Sequence, residues 1–336
     1  MIIVRQWAGL GNQLFIYAYY RALQEAGYEA KLDTSYYDIM SAYGGNGSYK
    51  VAEIFPSSKN VYATPEECRR LAVYQMDGFH RALRKAGINK KTYISQTKRY
   101  HDCGWTPELM ELPQDAYVEG YFQSERYFAS AAAPIRTELS FPLEETGEPG
   151  HYISHMTNAD RPLFLPSAPA ISNIHSVSIH VRRGDYVNGQ KRLLTDTRYY
   201  YNAIRRCAGE DSDAEFYVFS DDLDWCRDYF GRLFTDDSEL SCCFSGDSGS
   251  GIPSPGGTGI AARFHYVDEA PAAWVDMYLM SLCRRHIIAD STFSWWGAWL
   301  DPRPDKTVYA PAEWVCMTEY DITDVVAEGW EKVEVL

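Results

Sequence analysis

From residue 176 to residue 310, short apolar runs alternate with longer amphipathic ones, and no other feature of this 336-residue chain narrows its fold as much. The short runs, Ser176–Arg182, Glu215–Ser220, Arg263–Val267, His286–Ala289 and Thr307–Ala310, read as strands. Between them the spacing predicts helices over about Arg198–Cys207, Leu223–Phe230, Pro271–Cys283 and Ser294–Leu300. Strands joined through helix-length crossovers pair in parallel, since a tight turn cannot bring the chain back to start a neighbour in the same direction. The amino-terminal part opens in the same way. Ile2–Trp7 predicts a strand, Ala8–Asn12 a turn, about Gln13–Ala26 a helix with Gly27 just past its end, and Glu29–Asp33 a second strand. Tyr117–Phe122 predicts another strand, and helix is expected around Pro65–Leu83. Residues 142–175, rich in Pro, Gly, Ser and Asn, predict a linker, and the Gly/Ser-rich run 243–259 a surface insertion. A chain of this length suits two α/β domains, expected at 1–165 and 166–336.

Composition sorts the partners. With 46 acidic against 32 basic residues the formal charge is −14, which opposes binding to nucleic-acid backbones or anionic lipid surfaces, although a local basic pocket for a small anion is compatible with it. Apolar residues make up 46%, enough for a substantial core. The 26 Tyr and 9 Trp suit stacking on sugars or bases as well as packing. Eight cysteines without a CxxC pair read as reduced thiols. The start of the chain has no basic stretch leading into a signal-type apolar run, and no segment reaches about 18 uncharged apolar residues. The expectation is a cytoplasmic, soluble protein.

In a parallel α/β sheet, ligands gather at the carboxyl ends of the strands, where loops and helix N-termini converge. The least core-like residues of this chain fall there. His180, Arg182, Arg183 and Asp185 follow or end the first carboxyl-half strand, Ser220, Asp221 and Asp222 the second, and Ser291, Thr292, Phe293 and Ser294 the fourth. Strand alternation puts His180 and Arg182 on one face. Two consecutive arginines suit a diphosphate, or else a structural ion pair with Asp185 or Asp222. Ser220-Asp221-Asp222 suits a base or ribose, or an N-cap; Ser291–Ser294 opens a helix that could receive a phosphate or cap itself. Asp222-Leu223-Asp224 spells a DxD triplet, but Asp224 is expected inside a helix, and no metal site is assigned. Trp295, Trp296 and Trp299 read as packing before sugar stacking. Gly9, Gly11 and Asn12 form only part of a nucleotide-type glycine loop.

Taken together, six runs resemble the bacterial and animal α-1,2-fucosyltransferases of glycosyltransferase family 11. They are GLGNQLFIYAYYRAL (9–23), EGYFQSERYF (119–128), VSIHVRRGDYV (177–187), FYVFSDDLDWC (216–226), VDMYLMSLCRRHIIADSTFSWWGAWL (275–300) and APAEW (310–314). The chain departs from that pattern at Ala8, where Gly is frequent, at Asp290, where Asn is common, and in the 243–259 insertion. The resemblance implies a GT-B-like α/β fold: two Rossmann-like domains with parallel sheets facing a central cleft, the first on the acceptor side and the second binding GDP-fucose. It implies inverting transfer of L-fucose from GDP-β-L-fucose to the 2-hydroxyl of a terminal galactoside, with GDP-fucose as donor substrate and no cofactor or required metal. Arg182 would then hold the diphosphate, His180 the guanosine or an orienting role, and Asp185 the arginines, with Arg183 also in the donor site. Asp221 and Asp222, with Ser220, would face guanine or ribose, Ser291–Ser294 would donate to phosphate, and Gly11 and Asn12 would reach the donor from the first domain. Candidate bases are Asp185, Glu119 and Glu125. The expected partners are GDP-fucose and a galactose-terminated glycan, with no nucleic acid; peripheral membrane association through a lipid-linked acceptor and the oligomeric state stay open. The alternatives are glycosyl transfer to another acceptor, a glycosidase, or a non-catalytic glycan-binding protein.

Overall fold

The computed structural model describes residues 1–42, 47–73, 79, 82–83, 86–100, 102–144, 151–153, 163–165, 167–189, 191–235, 262–268, 270, 272–316 and 324–336. The chain divides into two compact units, Met1–Pro142 with Glu319–Glu328, and Leu143–Thr318 with Gly329–Leu336. The division thus falls at Pro142/Leu143 rather than at 165/166, and a late segment returns to the first unit. The reason lies in 142–175, expected to be a linker. There β5 (Leu143–Glu144), β6 (His151–Ile153) and β7 (Leu163–Leu165) pair antiparallel, and the Ala168–Ile171 helical turn buries Ala168 and Ile171. The insertion at 243–259 lies outside the described residues, as do Cys242 and Cys243. The other six cysteines are buried free thiols.

Unit 1 carries a parallel sheet ordered β2-β1-β4-β3, from β1 (Ile2–Arg5), β2 (Ala30–Asp33), β3 (Tyr93–Ser95) and β4 (Ala116–Glu119). The Leu10–Glu25 helix starts a turn earlier than expected because Gly9 takes the cap position in extended backbone. It ends as the sequence predicts. Gly27 adopts φ 91°, and the N–H groups of Gly27 and Tyr28 donate to the carbonyls of Gln24 and Leu23. Gln13 fastens the β1-to-helix turn: its Nε2 donates to the carbonyls of Ala8 (3.1 Å) and Ser48 (2.9 Å), and its Oε1 accepts from the Lys50 N–H (2.7 Å). Of the helix expected around Pro65–Leu83, Pro65–Leu71 forms, opened by a capping box between Thr64 and Glu67; the chain turns extended at Ala72, and 79 and 82–83 are helical again.

Unit 2 carries a six-stranded parallel sheet, ordered β10-β9-β8-β11-β12-β13. Its strands are β8 (Ser176–Val181), β9 (Glu215–Ser220), β10 (Phe264–Tyr266), β11 (Arg285–Ile287), β12 (Thr307–Pro311) and β13 (Glu331–Val333). The first five match the predicted runs; β13 was not expected. All six residues of β8 are buried, as a central strand covered on both faces should be. The crossover helices are Tyr199–Glu210, Leu223–Thr235, Ala273–Leu282 and Thr292–Leu300. Val177, Ile179, Val181, Ile204, Cys207, Phe216, Val218 and Ile287 share one apolar core. Trp295, Trp296 and Trp299 are packing residues, each at most 1% exposed, with ring centroids of adjacent pairs 5.0–6.3 Å apart. Their helix packs closely on Ala273–Leu282 because position 297 is glycine; a Cβ there would meet Met280 Cε at 3.0 Å.

Candidate functional site

The strand order of unit 2 reverses once. From β8 the chain moves outward to β9 and β10, then returns to the other side of β8 as β11 and continues through β12 to β13. Loops leaving β8 and β11 therefore part in opposite directions, which opens a crevice at their carboxyl ends. The first loop delivers Arg182 and Arg183; the second delivers Asp290, Ser291 and the Thr292–Leu300 helix. β9, the other neighbour of β8, delivers Ser220, Asp221 and Asp222 beside them. The sequence-predicted residues of this half are thus brought together by one sheet edge.

Arg182 is a partly exposed cation there. Its Nη1 donates to Asp221 Oδ2 at 2.6 Å, and its side chain remains 34% exposed. Asp221 accepts a second bond, from the Arg183 N–H at 3.0 Å, so one carboxylate holds both the backbone and the guanidinium of the double-arginine turn. That geometry requires glycine next, since a Cβ at Gly184 would lie 2.6 Å from Asp221 Oδ2. Arg183 is differently occupied. Its guanidinium lies 3.6 Å over the Trp225 ring, and its Nε donates to Asp222 Oδ2 at 3.1 Å, leaving the side chain 13% exposed. Asp222 also accepts the Trp225 N–H at 3.3 Å, the capping interaction for the Leu223–Thr235 helix, while Ser220 Oγ accepts the Asp222 N–H at 3.0 Å. Of this carboxylate pair, Asp222 therefore serves as the N-cap, while Asp221 braces the arginine turn. Asp224 pairs with Arg227 on the helix surface with its side chain 99% exposed, so the DxD triplet does not converge.

His180 is 5% exposed, its ring centroid 5.5 Å from that of Phe293, and its carbonyl accepts from Tyr200 Oη at 2.8 Å. Burial, and then the Arg182 charge, push its pKa down to about 3, so the imidazole is neutral, and its buried Nδ1 has no hydrogen-bond partner. At the helix opposite, Ser291 caps itself by accepting the Phe293 N–H at 3.3 Å, and buried Ser294 Oγ accepts the Ala289 N–H at 3.1 Å. Thr292 and Phe293 are the partly exposed members of that run. Asp185 is the second residue of the Gly184–Asn188 helix, and its side chain lies outside the described residues.

The remaining candidates belong to unit 1. Gly11 is buried in the first turn of the Leu10–Glu25 helix, and Asn12 follows it, half-buried. Glu119 ends β4 with both oxygens engaged, Oε2 by Arg5 and Oε1 by Tyr93 Oη at 3.0 Å. A carboxylate held this way is a poor proton acceptor, because taking a proton would sacrifice the Arg5 pair. Glu125 opens a short turn capped by Ser124.

Two features of unit 2 were not legible in advance. Tyr186 Oη donates to the Asp290 carbonyl at 3.0 Å and ties the β8 loop to the β11 loop; nothing in sequence marks two loops 100 residues apart as neighbours. The other is Asp290 itself, 2% exposed, whose Oδ2 accepts the Cys316 N–H at 3.0 Å. Burial raises its pKa to about 6 despite the bond from Cys316. Because this carboxyl binds its proton more tightly folded than unfolded, its contribution to stability declines as pH rises from about 4 to 6. Asp290→Asn, the residue common in the resembled pattern, should therefore stabilise at pH 7 by up to about 3 kcal/mol, with the gain gone near pH 4. Urea unfolding at the two pH values checks this; a gain independent of pH would exclude the buried charge as its source.

His175, Asp211 and Asp213 place ligand-type atoms within 4.8 Å of one another, but at the amino ends of β8 and β9, and Arg285 Nη1 already donates to Asp211 at 2.7 Å. Among the described residues no helix is long and apolar enough to cross a membrane.

The family model for glycosyl transferase family 11 matches residues 156–331, more than half the chain, and its span contains the whole β8–β11 crevice. The chain belongs to glycosyl transferase family 11. Among relatives of this family 11 protein, an alpha-1,2-colitosyltransferase of Escherichia coli is 28% identical over 341 residues, covering 99% of each chain. The O-antigen biosynthesis glycosyltransferase WbnK of Escherichia coli is 24% identical, covering 91% of this chain and 92% of the relative. Galactoside alpha-(1,2)-fucosyltransferase 2 of Bos taurus is 25% identical over 60% of this chain and 51% of its own length. The α/β class expected from strand–helix alternation is present in both units, and the protein is a glycosyltransferase.

Proposed function

We propose that this family 11 enzyme transfers a 6-deoxy sugar, L-fucose or its 3-deoxy relative colitose, from a GDP-linked donor to the 2-hydroxyl of a galactoside with inversion. The observation that carries the reading is Arg182: a one-third-exposed guanidinium, fixed by Asp221, at the strand-order reversal of unit 2. A guanidinium presents paired donors that match diphosphate oxygens, and a donor fixed in advance needs no reorganisation as charge develops.

In the proposed reaction the bond between the anomeric carbon and the diphosphate oxygen breaks ahead of acceptor attack. Negative charge gathers on the departing diphosphate and is met by Arg182, with the Thr292 end of its helix adding N–H donors. The acceptor oxygen enters from the opposite face and loses its proton late, so a weak base suffices. Asp185 and Glu125 are the candidate bases we retain, Glu119 being committed to Arg5 and Tyr93. Neutral His180, with its buried and unpartnered Nδ1, is assigned to the nucleoside. No divalent metal is assigned, because Asp222 serves as helix cap and Asp224 faces solvent beside Arg227.

The relatives named for colitosyl and for fucosyl transfer leave the donor to experiment. Incubation of the purified chain with a β-galactoside, EDTA and either GDP-fucose or GDP-colitose should yield an α-1,2-linked product from at least one donor. Absence of product from both, or activity that appears only when Mn²⁺ is restored, would reject the donor class or the metal-free chemistry respectively.

A further inference from the structure

Unit 1 surrounds Asn12 with a polar arrangement of its own. Its sheet has its own reversal of strand order, between β1 and β4. The segments leaving these two strands hold the two left-handed non-glycine residues among the described residues, Ala8 at φ 66° and Phe122 at φ 52°. Such backbone costs about 1–3 kcal/mol and persists only where neighbours enforce it. At Phe122 they do: Gln96 Oε1 accepts the N–H groups of Tyr121 (2.9 Å) and Phe122 (3.0 Å), and the Phe122 ring stacks on Tyr19 at 3.9 Å.

The residue delivered by this turn is Gln123, only 2% exposed. Its Nε2 donates to Asn12 Oδ1 at 2.8 Å, while its Oε1 is buried with no partner. Gln6 repeats the pattern beside it: Nε2 donates to the Gln13 carbonyl at 3.2 Å, and the buried Oε1 has no partner. Both amides abut the start of the Leu10–Glu25 helix, where Gly9 supplies no side-chain cap and the first turn has no acidic residue. A buried carbonyl without a donor costs about 1–3 kcal/mol, and here there are two beside uncapped N–H groups.

We infer that Gln123 is a positioning residue for Asn12. By occupying Oδ1 it leaves the Asn12 Nδ2 hydrogens to donate to a substrate oxygen, and its own Oε1 awaits a substrate donor. A sugar hydroxyl supplies both an acceptor and a donor; a phosphate oxygen supplies only the acceptor. The group received is therefore a hydroxyl of the sugar substrate. This rests on the glycosyl-transfer reading above.

A double-mutant cycle tests it. Gln123→Met keeps length and apolar bulk but cannot hold Oδ1; it should lower kcat/KM about 10-fold in the parent chain and less than about 2-fold when Asn12→Ala is already present. Equal losses in both backgrounds, or none in the parent, overturn the inference. Gln123→Glu still gives Asn12 a partner but can only accept, so the Asn12 amide turns round; a packing role would be rescued by it, a positioning role would not. GDP without the transferred sugar should bind Gln123→Met with an unchanged Kd, and a weakened Kd would refute the sugar-hydroxyl assignment. If the parent chain is inert with both donors, the transfer reading fails separately. The pairing is then read from the Asn12 side-chain amide resonances of ¹⁵N-labelled protein: a shift on Gln123→Met supports it, and unchanged resonances overturn it.

Discussion

Arg182→Ala should reduce sugar transfer by about 10²–10⁴-fold while leaving the melting temperature nearly unchanged. The catalytic loss follows from removing a fixed cationic donor at the point where leaving-group charge is proposed to develop, comparable with deletion of an oxyanion-hole donor and augmented by the full charge. The small stability effect follows from exposure. The Arg182–Asp221 pair is 34% and 27% exposed, and ion pairs that wet contribute about 0–1 kcal/mol. Asp221 also keeps its bond to the Arg183 N–H, so the turn retains its anchor. Arg182→Lys preserves charge but loses the planar fork, and should fall between the two. Initial rates with saturating donor, together with thermal denaturation, separate these outcomes. Wild-type turnover in Arg182→Ala would remove the leaving-group role; a large drop in melting temperature would instead make Arg182 a structural residue.

The largest loss of stability should come from Asp301→Ala. Asp301 and His286 are each 0% exposed, and Ser178 is 3% exposed. Ser178 Oγ lies 3.0 Å from His286 Nδ1, and His286 Nε2 lies 3.1 Å from Asp301 Oδ2. Serine, histidine and aspartate in this order resemble a hydrolytic triad, but buried side chains in the middle of β8 and β11 have no path to a substrate. Burial lowers the His286 pKa and keeps the ring neutral, consistent with the hydroxyl donating to Nδ1 and the Nε2–H donating to the carboxylate. On Asp301, burial pushes the pKa upward, but hydrogen bonds from His286 and Arg303 outweigh it and hold the group below the ordinary carboxylate range. Its stabilising contribution is therefore complete above the unfolded pKa of about 3.9 and disappears only as pH falls through the lower folded value.

Arg303 connects this network to secondary structure. Its Nε donates to Asp301 Oδ1 at 2.7 Å, and its Nη2 donates to the carbonyls of Ser281, Leu282 and Cys283 at the end of the Ala273–Leu282 helix. Removing Asp301 strips His286 and Arg303 of their buried acceptor and loosens that cap. A loss of about 2–4 kcal/mol is expected, since the buried His286 N–H loses its acceptor and the partly exposed Arg303 loses a charge-assisted hydrogen bond. Urea unfolding at pH 7 measures it; a loss below about 1 kcal/mol would indicate that the network relaxes without cost. Activity per folded molecule should be preserved, the reverse of the Arg182→Ala pattern.

Much of unit 2 could be read from residue order because its strands are apolar runs bounded by polar turns. Thus β9 was found at its observed limits, and the helices fell within a few residues of their predicted positions. The candidate site was equally visible on its carboxyl edge: parallel pairing alone forces Arg182, Asp221 and Ser291 to one end of the sheet, whatever the neighbours. The region 142–175 reads as a linker because Pro, Gly and Ser mark loops and very short strands alike, and β5 to β7 are two or three residues long. β13 is short as well, and it depends on contacts with distant segments, pairing with β12 and burying Val333 in the core.

Local order in the chain, then, determined which segments become strands and helices, and through them which chemical groups gather at the strand ends. Periodicity and turn chemistry act over a few residues, and those suffice. Tertiary structure decided what each gathered group is free to do. Arg182 and Arg183 are adjacent and identical in type, yet Trp225 and Asp222 cover one while Asp221 leaves the other a third exposed. Glu119 became an ion-pair partner of Arg5, and Asp290 a buried acid with a raised pKa. Burial and charge environment depend on contacts between residues tens of positions apart, and only the folded chain sets them.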